Sequence, residues 1–208
     1  CSFFLIILTT AYKKLSSFLP FLISSIKRSN SSGVLINKLE IENEEELNKA
    51  ERLITSYKLS KMYLRDEEIS FDVSYYLNIH KELFGDIYPF AGEIRNEVIA
   101  KRIPFCLPQK IYHFLEDTLN RAKKRVENIN SYDELLRVVV EIYSDLDITH
   151  PFREGNGRCE REFIRRYIDY ICKKNNLDPC FLNYSLIEDK DKYIDAVVKA
   201  DASSNPSH

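Results

Sequence analysis

Apolar residues recur at helical spacing in one segment after another of this 208-residue chain. Five glycines and seven prolines are few for such a length, which disfavours β-sandwiches, barrels and glycine-rich βα folds. The pattern therefore predicts a mostly α-helical fold. The predicted helices are Glu44 to Tyr63, Ser70 to Phe84, Pro108 to about Ala122, Leu135 to Leu146 after a cap at Ser131, about Gly155 to Ile171, and about Ile187 to Ala200.

Two of these helices carry more specific expectations. The first should bury a stripe of residues at helical spacing, which are Leu47, Ala50, Ile54, Tyr57 and Lys61. The fourth is the most apolar segment of the chain, and a helix that is apolar on so many sides is expected to be central. Between the second and third helices, Glu93 to Ala100 is predicted to form a short hairpin.

The first 32 residues differ from the rest of the chain. Their apolar runs, Phe3 to Leu8 and Phe18 to Ile26, are shorter than the roughly 20 residues that a membrane span needs. Basic residues follow the first run, whereas a secretory signal has them before it. We therefore expect residues 1–32 to be an extension of unknown role, residues 33–208 to form the domain, and the chain to have no stable membrane span.

The net charge and the cysteine content indicate which partners and which cellular compartment to expect. Thirty basic and 32 acidic residues give a net charge of −2, so no nucleic-acid partner is expected. Five cysteines form no CxxC pair and no zinc-ligand spacing, which indicates a reducing compartment. The expected location is the cytoplasm, either of the producing cell or of a host cell into which the protein is delivered.

The residues that can carry chemistry lie between the fourth and fifth helices. Gly155, Asn156 and Gly157 stand where a helix begins, and flexible backbone there can turn N–H groups toward one anion. Arg158 and Arg161 are three residues apart, so they share a helix face and can pair with phosphate oxygens.

Two further side chains complete this loop. Glu154 offers a carboxylate of the kind that Mg²⁺ prefers together with phosphates and water. His150 ends the preceding helix and can act as a general base. Taken singly, the histidine could be a helix-end residue, the glycines a plain turn and the arginines a solvated face; their collocation favours a nucleotide-phosphate site. Phe152 is interpreted as an anchor to the core, and Pro151 as the end of the preceding helix.

Residues His150 to Arg161 resemble the HPFx(D/E)GNGRxxR signature of Fic-domain enzymes at every specified position. The segment from Leu83 to Arg95 is similar to the part of that family that leads into its β-hairpin flap. The resemblance implies a Fic-fold helical bundle with a short flap before the active-site loop. It also implies transfer of AMP from ATP, with Mg²⁺, to a Tyr, Thr or Ser hydroxyl of a target protein.

The resemblance also assigns roles to the loop residues. His150 would deprotonate the target hydroxyl and Glu154 would hold Mg²⁺. Gly155, Asn156 and Gly157 would bind the α- and β-phosphates, Arg158 would contact the phosphates, and Arg161 would pair with the γ-phosphate.

Three alternative functions stay open at this point. In the related Doc toxins a lysine replaces the second glycine of the loop and the γ-phosphate is transferred, so Gly157 favours AMP transfer here. Transfer of UMP or phosphocholine on the same scaffold is a second alternative. The third is a catalytically silent helical interaction module.

Two kinds of partner follow from the resemblance. Residues Arg95, Val98, Ile99 and Lys101 lie in the segment similar to the flap, which pairs with an extended piece of the target like an added strand. The alternative is that each of these four residues is an ordinary exposed loop residue without a docking role.

The second partner is a separate inhibitory protein. Many family members carry a helix with the motif (S/T)xxxE(G/N), whose glutamate pairs with the arginine equivalent to Arg161. The glutamates here that precede Gly or Asn are Glu42, Glu127 and Glu154, and Lys38, Lys123 and His150 stand four residues before them. A small antitoxin is therefore expected to supply the helix, packed near Leu47 to Tyr57. The alternative is a weak enzyme that needs no restraint.

Overall fold

The structure, a computed structural model of the chain, describes residues 33–100 and 104–183. It contains five helices in these ranges: α1 Glu44–Tyr63, α2 Val73–Phe84, α3 Pro108–Lys124, α4 Tyr132–Thr149 and α5 Asn156–Asn175. The prediction of a mostly helical fold is confirmed. The extension 1–32, Lys101 and the predicted helix from Ile187 to Ala200 lie outside the described residues. In the described ranges, no helix is both long and apolar enough to cross a membrane.

Local capping explains where most of the helices begin. Asn43, Asp72 and Ser131 each accept a first-turn backbone N–H, at 3.1, 2.8 and 3.3 Å. Pro108 occupies the first turn of α3, where its missing N–H costs nothing. Helix α2 therefore starts three residues later than the sequence suggested, because Asp72 rather than Ser70 provides the cap.

The face that α1 buries differs from the predicted stripe. Its buried residues are Leu47, Glu51, Thr55 and Met62, whereas Tyr57 is 59% exposed. Leu47 is buried and Ala50 and Ile54 are partly buried, as predicted, but Tyr57 and Lys61 are exposed, and two polar residues find partners inside the protein instead. The spacing of apolar residues alone could not indicate that a glutamate and a threonine face the core.

Helix α5, rather than α4, is the most buried helix of the bundle. It packs against α2 on one side and α4 on the other, and α4 also contacts α3. Helix α4 lies between α3 and α5, in keeping with the expected central position, but it buries one stripe and leaves Leu136 and Val140 about half exposed. The burial of α5 was not apparent from the sequence because the helix contains many charged residues. Arg166, for example, is paired inside the protein: it donates to Glu162 and to the Tyr75 hydroxyl, both at 2.7 Å.

The connection between α2 and α3 holds little regular structure in the described residues. An isolated antiparallel bridge joins Ala100 to Pro104, and the Phe105 N–H donates to the Ile99 carbonyl at 3.2 Å. The expected hairpin from Glu93 to Ala100 is therefore not confirmed. What the structure has there is a reversal of the chain that returns Phe105 to the core.

Candidate active site

The loop between α4 and α5 is made by two residues with left-handed backbone conformation. His150 ends α4 at φ 43°, and Gly155 precedes α5 at φ 83°. A Cβ at Gly155 would lie 2.4 Å from two ring carbons of Phe84, closer than real contacts allow. Glycine is therefore required at this position both by the backbone and by the packed ring.

Aromatic packing anchors the loop to α2. The completely buried ring of Phe152 stacks on His80, with ring centroids 3.7 Å apart. We define the aromatic column as the series of neighbouring rings Tyr76, Phe152, His80, Phe84, Tyr88 and Phe90. The burial of Phe152 agrees with its interpretation as an anchor.

Asn156 closes the loop through its side chain. Its Nδ2 donates to the Phe152 carbonyl, and its Oδ1 accepts the Phe152 N–H, both at 2.8 Å. The residue is buried, so the contribution that it can make to an anion site comes from its backbone.

His80 is hydrogen-bonded to the loop, and the sequence analysis did not identify it as a functional residue. The Gly92 N–H donates to His80 Nδ1 at 2.9 Å, so Nδ1 must be unprotonated. Nε2 therefore carries the hydrogen and donates to the Glu154 carbonyl at 2.8 Å. Burial lowers the pKa of His80 to about 4, which keeps the ring neutral.

The geometry of His150 assigns its tautomer. Nδ1 lies 3.2 Å from the Asp147 carbonyl oxygen, which can only accept a hydrogen bond. Nδ1 therefore carries the hydrogen, and the lone pair is on Nε2. The Phe105 ring stacks on the imidazole with centroids 3.8 Å apart, and the His150 side chain is 11% exposed. Neither Asp147 nor Phe105 could be recognised from the sequence as a neighbour of this histidine.

Arg158 is held by a buried carboxylate on α1. Its Nη2 pairs with Glu51, and its Nη1 donates to the Thr55 hydroxyl at 3.4 Å. The other Glu51 oxygen accepts the Tyr88 hydroxyl, and burial together with this carboxylate raises the pKa of Tyr88. The guanidinium carbon also lies 4.8 Å from the centroid of the Phe84 ring. Helix α1 thus contributes directly to the position of a predicted phosphate ligand.

The remaining charged residues of the loop face its open side. Glu154 is 45% exposed, and its Oε1 lies 2.9 Å from the Gly155 nitrogen and 3.6 Å from Arg158 Nη2. Arg161 is exposed, and its Nη1 lies 3.1 Å from the point that a Cβ at Gly157 would occupy. Two guanidinium groups, one carboxylate and a helix N-terminus therefore surround the place where α5 begins.

The donor set fits a magnesium ion bound together with phosphates. In residues 33–100 and 104–183, no group of three or more His, Cys, Asp or Glu could hold a metal ion by itself. Mg²⁺ is usually bound by one or two carboxylates, with phosphates and water as its other ligands. A single half-exposed carboxylate at Glu154 matches this requirement.

The segment predicted to dock a target divides into buried and exposed parts. Arg95 is only 1% exposed, and its guanidinium donates to the carbonyls of Glu97, Cys106 and His150. It is thus a buried side chain, not the surface residue that a docking role needs. Val98 is 56% exposed and Ile99 is partly buried, so these two keep the exposure that the prediction requires. Lys101 lies outside the described ranges.

Two cavities flank the helices that carry this site. One, of about 430 Å³, is lined by Glu154, Arg158 and the α1 residues Leu47 and Glu51. The other, of about 570 Å³, lies between the end of α1 and the second half of α5 and contains no residue of the loop. The smaller cavity is the one connected with the chemistry, because two loop residues form its wall.

Comparison with known proteins identifies a family for the central part of the chain. Residues 70–168 match the family model described as the Fic/DOC family. These residues carry a Fic domain. Its match covers α2 to α5 for most of their length and includes every residue of the loop.

Curated relatives of this Fic domain are bacterial. The chain is 30% identical over 139 residues to the protein adenylyltransferase VbhT of Bartonella schoenbuchensis, covering 64% of this chain and 28% of VbhT. It is 28% identical over 156 residues to a Sinorhizobium fredii protein named probable protein adenylyltransferase y4lH, covering 70% and 78%. The chain thus spans about a quarter of the first relative and about three quarters of the second.

Solved structures show the same fold. The BepC protein of Bartonella tribocorum, crystallised with AMPPNP, superposes with a TM-score of 0.73 at 18% identity, covering 87% of this chain and 91% of that one. The N-terminal Fic domain of a VirB-translocated effector from Bartonella quintana gives a TM-score of 0.73 at 24% identity, covering 87% of both chains. The helical architecture of this Fic domain is therefore shared with theirs.

Proposed function

We propose that this chain transfers AMP from ATP to a hydroxyl side chain of a target protein. The observation that carries the proposal is the tautomer of His150, whose Nδ1–H is engaged by the Asp147 carbonyl at 3.2 Å. Nε2 is thereby left as a proton acceptor next to a helix N-terminus suited to phosphates. The names of the curated relatives, protein adenylyltransferases, support the same reaction.

In the proposed mechanism the triphosphate binds where α5 begins. Backbone N–H groups of Gly155, Asn156 and Gly157 face the α- and β-phosphates, and Arg158 and Arg161 neutralise their charge. The target hydroxyl oxygen forms a bond to the α-phosphorus, and its proton moves to His150 Nε2. The bond between the α-phosphorus and the bridging oxygen breaks, and pyrophosphate leaves.

Glu154 is the residue that would hold Mg²⁺. When bound, the ion neutralises charge that develops on the phosphate oxygens. Glu154 Oε1 lies 3.6 Å from Arg158 Nη2, so a cation held by Glu154 and the Arg158 guanidinium would both act on the phosphate oxygens.

The position of Arg161 supports AMP transfer over γ-phosphate transfer. Its Nη1 lies 3.1 Å from the point that a Cβ at Gly157 would occupy, so a side chain at position 157 would require the guanidinium to shift by a few tenths of an ångström. An arginine kept at that place can bind the far end of the triphosphate and turn the α-phosphorus toward His150.

The direct test compares the two labels of ATP. We expect label from α-labelled ATP, but not from γ-labelled ATP, to pass to protein in a lysate with Mg²⁺. His150→Ala should reduce the rate about 10²–10⁴-fold because the general base is lost. His113→Ala is the matched control, since that histidine is 74% exposed on α3 and away from the loop. Label transferred only from γ-labelled ATP would overturn the proposal.

The alternatives make different predictions in the same assay. UMP or phosphocholine transfer would require label from the corresponding donor and little from ATP. A silent interaction module would keep its biological effect when His150 is replaced by alanine. The complete set of loop side chains, including the engaged tautomer of His150, favours an active enzyme.

We further propose that Val98, Ile99 and Lys101 contact the target as an added strand. Val98 is 56% exposed and Ala100 is also exposed, so a partner can reach the described part of this segment. Arg95 is left out of this proposal because its side chain is buried.

We also propose a separate antitoxin that brings an inhibitory glutamate to Arg161. The sequence in hand has no (S/T)xxxE(G/N) motif, and α1 exposes Leu53 and Tyr57 beside the region where such a helix would pack. Expression of the chain alone in a bacterium should arrest growth, and expression of His150→Ala should not. Unimpaired growth of bacteria that contain the freely active enzyme would contradict the proposal of an antitoxin. The proposed site of action is a cytoplasm, and the Bartonella neighbours, described as VirB-translocated effectors, support a host cell.

A further inference from the structure

One buried arginine contacts the backbone on both sides of His150. Arg95 Nε donates to the His150 carbonyl at 2.7 Å, and the Arg95 backbone N–H donates to the Pro151 carbonyl at 2.8 Å. Its Nη2 lies 3.5 Å from the Thr149 carbonyl. The carbonyls of the three consecutive residues Thr149, His150 and Pro151 thus all have Arg95 as their donor.

These contacts meet a specific need of the chain at this point. The last carbonyls of a helix lack intrahelical donors, and α4 ends here with His150 in the left-handed conformation. A buried cation at a helix C-terminus satisfies these carbonyls and is favoured by the helix dipole. Arg95 therefore stabilises the unusual backbone angles that aim the imidazole.

The same guanidinium reaches the base of the segment proposed to dock the target. Nη1 donates to the Glu97 carbonyl at 2.6 Å, and Nη2 donates to the Cys106 carbonyl at 2.7 Å. These carbonyls stand at the two ends of the stretch from Val98 to Phe105. Phe105 itself stacks on the His150 ring. One side chain thus ties both ends of this stretch to the backbone of the general base.

We propose that Arg95 is a positioning residue that holds His150 in register with the target-docking segment. The inference rests on the proposed function, since it concerns how the proposed base is placed. It predicts that loss of Arg95 impairs the chemical step and leaves nucleotide binding almost unchanged, because none of its contacts is to the phosphate-binding residues.

The first experiment measures Arg95→Met and Arg95→Lys with α-labelled ATP and a target-containing lysate. For Arg95→Met we expect kcat to fall about 10²-fold, the size of effect that misplacing a reacting group produces. Arg95→Lys should recover part of the rate, because lysine keeps the charge but can donate to fewer carbonyls. The KM for ATP and the affinity for a non-hydrolysable ATP analogue should change by less than about 2-fold in both variants.

The second experiment separates positioning from general destabilisation. In a His150→Ala background, Arg95→Met should change the residual rate by less than about 3-fold, because residues that act as a unit are not additive. Arg166→Met is the matched control, since Arg166 is a buried arginine whose partners among the described residues are Glu67, Tyr75 on α2 and Glu162 on α5. Its effect on the rate should be the same in both backgrounds.

The outcomes distinguish this inference from the proposed function. If the wild-type chain transfers no label from α-labelled ATP, the proposed function fails. If the wild type is active but Arg95→Lys raises the KM for ATP at unchanged kcat, the positioning role is refuted. Equal fold losses from Arg95→Met with and without His150 would refute it as well, and would leave Arg95 with a structural role only.

Discussion

Replacing Gly155 by alanine should cost considerably more free energy than its backbone conformation alone predicts. The left-handed conformation at φ 83° costs a residue with a Cβ about 1–2 kcal/mol. The new methyl would also lie 2.4 Å from the Phe84 ring, and forcing an extra methyl into a packed core costs about 1–3 kcal/mol. The two effects together give a destabilisation of about 2–5 kcal/mol.

The Phe84 ring has no room to move away from the methyl group. It is completely buried, with His80 at 4.7 Å on one side, Tyr88 at 6.2 Å, and the Arg158 guanidinium at 4.8 Å. The strain therefore has to be relieved by movement of the loop, which would break the hydrogen bond from His80 to the Glu154 carbonyl. Affinity for ATP should decrease in parallel with stability.

Gly33 provides the matched control for this prediction. Its φ is 82°, almost the same as that of Gly155, but no atom in the described part of the chain lies within 4 Å of a Cβ placed there. Gly33→Ala should cost only the backbone term of about 1–2 kcal/mol. Urea unfolding of the wild type and both variants measures the difference, which should be about 1–3 kcal/mol.

A third variant tests the role of the ring itself. Phe84→Leu removes the atoms that the new methyl would meet, so Gly155→Ala should cost less in that background than in the wild type. If Gly155→Ala costs no more than Gly33→Ala, or if Phe84→Leu brings no relief, the steric reasoning is wrong.

Three other predictions concern the described contacts. The pKa of His80 is lowered from 6.5 to about 4, so its contribution to stability is complete above pH 6.5 and is lost as the pH falls toward 4. Urea unfolding should show roughly 3 kcal/mol more loss over this range for the wild type than for His80→Gln; parallel curves would contradict it. Glu51→Gln leaves Arg158 without its buried counter-charge and should cost about 2–4 kcal/mol, whereas Glu45→Gln, in an exposed pair, should cost less than about 0.5 kcal/mol. Similar unfolding free energies for these two variants would refute this assignment. Ile99→Pro should reduce modification of the target more than modification of the enzyme itself in the α-label assay, and equal losses would argue against a docking role.

Features that depend on neighbours in the chain could be predicted from the sequence. The bounds predicted for α1 from the spacing of its residues, Glu44 to Tyr63, agree with the structure. The cap at Ser131 and the start of α5 at Gly155 were likewise predictable, because caps and left-handed glycines act within one turn of a helix. The loop itself is a continuous stretch, so its candidate residues were visible as a motif.

Features that depend on distant pairs were missed. Glu51 and Arg158 are 107 positions apart, His80 and Glu154 are 74 apart, and Arg95 and His150 are 55 apart. Each of these partly buried contacts joins a residue of the motif to a distant residue that looks like an ordinary surface residue in the sequence. Part of the buried face of α1 was missed for this reason, since Glu51 turns inward to meet Arg158 from another helix and the Tyr88 hydroxyl.

The aromatic column under the loop has a consequence for the thermodynamics of nucleotide binding. Phe152 is stacked between Tyr76 and His80, and His80 also donates to the Glu154 carbonyl, so contacts within the protein hold the loop in place. A binding site that is ordered in advance loses little conformational entropy when its ligand arrives. The entropy lost on association then comes mainly from the triphosphate chain, which has to adopt the one shape that the loop accepts.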